Sequence, residues 1–154
     1  MEMLPHRHLT TLALDVDFAG VTPIGQTRAG FRGIAPVTGG RFTGERLSGT
    51  VGPGQDWFVT RPDGSIAIDV RLTLTTGDGV TVYLNYQGAM NGRGDAMSRF
   101  RKGEQLAADD YALTVTARLE CGDARYAWLN DATVVGVGEQ TPGGPVYHLF
   151  DIGR

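Results

Sequence analysis

At 154 residues and a formal net charge of −3, the chain has the length of one ordinary domain, expected over 1–154, and lacks the clustered basic surface that nucleic-acid binding requires. Hydrophobic residues make up 41% and charged residues 20%, which favours a packed core over disorder, and no run of ~20 apolar residues is present to cross a bilayer. Cys121 is the only cysteine, so no intrachain disulfide can form; with no signal-peptide pattern at the amino terminus, a cytoplasmic location is expected.

The 23 glycines, together with Pro and Asp, punctuate short apolar runs, as in an all-β chain. Strands are expected near 8–17, 30–37, 42–51, 55–61, 65–74, 80–88, 110–120, 125–137 and 145–152. Their spacing predicts a closed or nearly closed antiparallel β-barrel of about 8–9 strands. Between 89 and 104 the alternation stops, and a long loop is expected there, with one helical turn around Asp95 to Arg101.

Two hairpins are legible. Ile66 to Leu74 and Val80 to Gly88 meet at Gly77-Asp78-Gly79, where a left-handed Gly79 sets Thr76 opposite Val80. That register collects Ile68, Val70, Leu72, Leu84 and Tyr86 on one face, and Asp69, Arg71, Thr73, Tyr83, Asn85 and Gln87 on the other. Leu113 to Glu120 and Ala124 to Val134 are expected to pair through Cys121-Gly122-Asp123, with Arg118, Glu120, Tyr126, Trp128 and Asn130 on the chemically rich face. Aromatic and short planar polar side chains, with no Lys among them, suit an enclosed lumen; the aliphatic faces filling the barrel is the competing expectation.

In an enclosed space these residues have definite uses. Asp69 and Arg71 are two apart, hence ~6.6 Å along one face of a strand. Asp69 would act as a general base, and Arg71 and Tyr83 would stabilise negative charge on a substrate oxygen. Glu120 is the alternative acid or base. Tyr126 and Trp128 would wall a flat substrate, with Asn85, Arg118 and Asn130 as polar contacts. Each has a plain structural counterpart: an Asp69–Arg71 ion pair, a turn-edge carboxylate, core packing. His6, His8 and His148 are too few for a metal site to be expected, and no phosphate-loop or dinucleotide fingerprint points to a cofactor.

The run Gly39 to Val51, then Gly54-Gln55-Asp56-Trp57, Arg61-Pro62-Asp63-Gly64, Asp69-Val70-Arg71, Asp78-Gly79, Tyr83 and Arg125 to Asn130 together resemble the DUF3237 (UPF0311) family of bacterial proteins of unknown function, over roughly residues 8 to 152. The resemblance implies a closed antiparallel barrel and assigns no activity. The family pattern often places an arginine near 114; here Thr114 stands there, with Arg118 on the same face.

These features lead to an expectation of a cofactor-independent enzyme, of isomerase, cyclase, lyase or hydratase type, acting on a small apolar or aromatic carbonyl compound in the lumen. A non-catalytic small-molecule binder and a structural homo-oligomer joined through aliphatic faces are the alternatives.

Overall fold

The computed structural model describes residues 2–153. Ten strands form one antiparallel sheet: β1 (His6–Val16), β2 (Thr22–Thr27), β3 (Gly30–Thr43), β4 (Gly49–Asp56), β5 (Val59–Thr60), β6 (Ile66–Thr76), β7 (Thr81–Gly92), β8 (Tyr111–Glu120), β9 (Val134–Thr141) and β10 (Gly144–Ile152). Neighbours run β1-β10-β9-β8-β7-β6-β4-β3, and β3 pairs back to β1 through Thr11 with Thr43 and Val16 with Val37. Eight strands therefore close a barrel, as the glycine-punctuated alternation predicts. β2 hangs on β3 outside the ring, and β5 continues the line of β4 between β3 and β6.

Closure depends on local chemistry at two glycines. At Gly79 φ is +86°, which completes the 77–79 turn, and Thr76 N–H donates to Val80 O at 2.9 Å, the expected register. At Gly40 φ is +135°, and a Cβ there would meet Ala13 O at 2.1 Å. This close approach lets β3 run unbroken from 30 to 43 and lie against β1, where the sequence suggests two strands separated by a turn.

The interior is aliphatic. Leu9, Leu12, Val37, Val70, Leu72, Leu74, Val82, Leu84, Leu113, Val115, Leu119 and Leu149 are buried in one cluster. An eight-stranded ring is just wide enough for side chains to fill, and these fill most of it. The expectation that the polar faces line the lumen is therefore corrected. Arg71, Thr73 and Arg118 are exposed, whereas Ile68, Val70 and Leu84 on the opposite face are buried.

A second correction concerns the expected 113–134 hairpin. Residues Ala124–Asp131 form a 3-10 helix, not a strand, and β8 pairs directly with β9, Thr114 opposite Val137 and Ala117 opposite Val134. Asp123 caps this helix by accepting from Arg125 N–H at 2.9 Å. Leu129, fully buried, points from it into one end of the barrel. At that end Arg46 lies 4.5 Å from the Trp128 ring and 3.5 Å from the buried Asp151 carboxylate. The other end is covered by loops and by α1 (Ala96–Arg101), placed where a helical turn is expected. No helix among the described residues is long and apolar enough to cross a membrane.

Candidate active site

A bulge in β4 turns a carboxyl, that of Asp56, into the barrel interior. Val51 lies opposite Leu74, yet Gly54 lies opposite Leu72, so one extra residue enters β4 between them. Inserting one residue reverses which side chains face inward. Gly54 and Asp56 then point into the barrel, and Gln55 and Trp57 point away. Gly54 is needed at the crossing, since a Cβ would come within 2.3 Å of Arg71 O.

Asp56, Val70 and Tyr86 form one rung across β4, β6 and β7. Tyr147 reaches the same space from β10, its ring 5.0 Å from that of Tyr86 at an interplanar angle of 59°. Gly138 on β9 makes the room for it: a Cβ there would lie 2.7 Å from Tyr147 Cδ1. Around these groups is a cavity of about 170 Å³, walled by Leu14, Val37, Ile68, Met90 and the rings of Phe18, Phe58 and Phe100. An apolar cavity near this size holds a benzene-sized guest.

Electrostatics set the cavity apart. Burial among apolar walls pushes the Asp56 carboxyl up to about 7. One hydrogen bond, from Asp69 N–H to Asp56 Oδ1 at 3.1 Å, opposes that rise, and the neighbouring Asp69 charge adds to it. Desolvation likewise raises both phenols, Tyr86 well above its ordinary value, and Asp56 reinforces the effect. The two phenols also act on each other, adding to the rise at Tyr86 and opposing it at Tyr147.

Chemically the cavity offers an acid–base carboxyl that is partly protonated near neutrality, beside phenols that remain hydrogen-bond donors.

The residues singled out from sequence lie elsewhere. Asp69, Arg71, Tyr83 and Asn85 form a ladder on the outer surface, where Gln87 Nε2 donates to Asp69 Oδ1 at 3.4 Å and Asn85 Nδ2 to the Tyr83 hydroxyl at 3.1 Å. Asp69 and Arg71 form no ion pair among the described residues. Tyr83, Glu120 and Asn130 share a shallow outer depression, and Arg118 is paired with Asn85 across the strands. Asn130 clamps the 3-10 helix: its Nδ2 donates to Cys121 O at 2.9 Å and its Oδ1 accepts from Cys121 N–H at 3.0 Å. Tyr126 donates to Asp78 Oδ1 at 2.9 Å, and Trp128 packs against Arg46. Only Asp69 reaches the cavity, and it does so through its backbone N–H and its charge. Alternation does not mark the interior trio, because Tyr86 falls on the aliphatic face of its hairpin and the inward turn of Asp56 depends on the β4 bulge. The available signal was Gly52-Pro53-Gly54, since Gly and Pro inside a strand mark a bulge.

His8, Thr11 and His148 are linked by hydrogen bonds of 3.0 and 3.2 Å on the outside of β1 and β10. No group of three or more metal-ligating side chains occurs among the described residues.

Comparison with known proteins places this barrel among relatives. The sequence profile of DUF3237, described as a protein of unknown function, matches residues 6–152. A UPF0311 protein of Rhodopseudomonas palustris is 32% identical over 117 residues, covering 75% of this chain and 76% of the relative. The crystal structure of a protein of unknown function from the same organism superposes with a TM-score of 0.89 over 99% of both chains, at 27% identity. A beta-barrel like protein of Acinetobacter baumannii gives a TM-score of 0.85 at 28% identity, covering 99% of this chain and 98% of its own. A structure from Penicillium herquei described as an enzyme shares the fold, with a TM-score of 0.71 at 19% identity over 97% of this chain and 94% of that one.

Proposed function

The chain belongs to the DUF3237 family, and we propose that it is a cofactor-independent acid–base enzyme whose site is the apolar cavity holding Asp56, Tyr86 and Tyr147. The observation that carries this reading is the convergence of one carboxyl and two adjacent phenols inside a largely apolar space. Such placement is costly for stability and useful for proton transfer. The substrate is a small apolar or aromatic carbonyl compound, with roughly one ring enclosed. Its carbonyl oxygen accepts from the Tyr147 hydroxyl, while the Asp56 carboxylate removes a proton from the carbon beside the carbonyl. The electron pair moves onto the oxygen as an enolate, which Tyr147 stabilises, with the Tyr86 ring beside it. Return of the same proton at another carbon is isomerisation; attack of the enolate on an internal electrophile is cyclisation; loss of a leaving group at the next carbon is a lyase step. A fold relative is described as an enzyme, which is in keeping with this reading.

Exchange of the α-protons of 1-indanone in deuterium oxide, followed by proton NMR at neutral pH, tests it. The protein should accelerate exchange, and Asp56→Asn should lose on the order of 100-fold of that acceleration while still binding the ketone. A bound ketone that exchanges no faster than in buffer would leave a non-catalytic binder. Undiminished exchange by Asp56→Asn would remove Asp56 from the mechanism.

A further inference from the structure

The cavity, a groove and an outer pocket adjoin in sequence, each sharing lining residues with the next. Phe58, Phe100 and Gln140 line both the cavity and a groove at its mouth of about 570 Å³. Thr60 and Arg101 line both that groove and an outer pocket of about 470 Å³. Arg61 and Gln26 complete the polar wall of the outer pocket, and no carboxylate lines it. Two arginines thus line one space from separate elements. Arg101 is the last residue of α1, and Arg61 opens a tight turn in which its N–H donates to Ser65 O at 2.8 Å and its carbonyl accepts from Gly64 N–H at 2.9 Å.

The nearby carboxylates have other partners. Asp63 accepts from Ser65 N–H at 2.9 Å and from the Ser65 hydroxyl at 2.6 Å, the first cause of its lowered pKa, with the Arg61 charge a lesser one. Glu104, on the groove wall, lies 3.9 Å from Arg99. Neither Arg61 nor Arg101 enters an ion pair among the described residues. Guanidinium groups present forked donors that match carboxylate and phosphate oxygens. In a chain of net charge −3, two such groups around a pocket free of carboxylates are a local exception.

We infer that Arg61 and Arg101 form an anion subsite for the substrate itself. On this inference, which rests on the cavity being the binding site, the substrate places an apolar ring inside the barrel. A short chain leads through the groove and carries a carboxylate or phosphate to the two guanidiniums. The apolar cavity selects the ring, and the arginines select the charged end and fix its orientation.

Calorimetric titration of the full chain with 4-phenylbutanol, 4-phenylbutyrate and 3-phenylpropyl phosphate tests this. Both anions should bind about tenfold tighter than the alcohol, and their advantage should shrink with added salt. The tighter of the two identifies the charged group. The double variant Arg61→Gln/Arg101→Gln, at exposed positions that should leave folding intact by circular dichroism, should reduce both anions to the affinity of the alcohol and leave the alcohol unchanged. Equal affinities for all three in the wild-type protein, or an anion preference that survives the double variant, would overturn the subsite while leaving the cavity as the binding site. Binding of none of the three would overturn the cavity reading and the subsite with it.

Discussion

Asp56 and Asp69 are joined by one hydrogen bond and separated by the barrel wall, and their effects on each other run in a definite direction. Asp69 contributes a backbone donor that favours ionised Asp56 and a side-chain charge that disfavours it. Asp69→Asn keeps the donor and removes the charge, so Asp56 should release its proton at lower pH, as read by carbon-13 NMR titration of its carboxyl. A second consequence concerns stability. Folded, Asp56 holds its proton to about 7; unfolded, it releases it near 3.8. Between those values the folded state binds the extra proton, so this group's contribution to stability falls as pH rises from about 4 to about 7 and is flat above. Asp56→Asn has no such decline at this position. Its advantage over wild type in urea unfolding should grow between pH 4 and pH 8, by about 4 kcal/mol at most. An unchanging difference would mean that the carboxyl is not desolvated.

Among the elements, β9 and β4 do the shaping. β9 contributes Gly136 and Gly138 on its inward side, where Cβ atoms would lie 2.7 Å from Leu149 Cδ2 and 2.7 Å from Tyr147 Cδ1. A strand without inward side chains there makes room for the larger ones of β10. Gly138→Ala should therefore cost about 1–3 kcal/mol in urea unfolding and displace the Tyr147 ring, changing its near-ultraviolet circular dichroism. β4 acts by its bulge: without the extra residue, Gln55 would face the cavity and Asp56 would join the outer surface. Both effects are weakly marked in sequence. A glycine in a strand signals some close approach, but not which neighbour approaches.

For the molecule as a whole, the question of which face turned inward decides where chemistry can occur. Leu84 is fully buried and Arg71 exposed on the neighbouring strand. Leu84→Ala should destabilise by about 2–5 kcal/mol, whereas Arg71→Ala should remain within roughly 0.5 kcal/mol of wild type, both read by denaturant unfolding. The reverse ranking would contradict the barrel's orientation. Trp128 and Tyr126 illustrate how the polar-lumen expectation arose. Read as strand residues they join a rich face; in the 3-10 helix they help close the barrel end opposite the cavity, Trp128 holding Arg46 near Asp151.

Local rules were enough to establish the strand character of the chain, the 77–79 turn with its register, the helical turn within 96–101 and the family. Each depends on contacts between residues close in sequence or on a period of two. That period separates two faces of a strand without saying which one the closed ring encloses. The choice belongs to tertiary structure, because burying Asp69 and Arg71 would leave charges without water in a space that aliphatic side chains mostly fill. Asp56, Tyr86 and Tyr147 meet for the same reason: a bulge on one strand, a rung across three and a gap left by glycine on a fourth coincide only after the ring has closed.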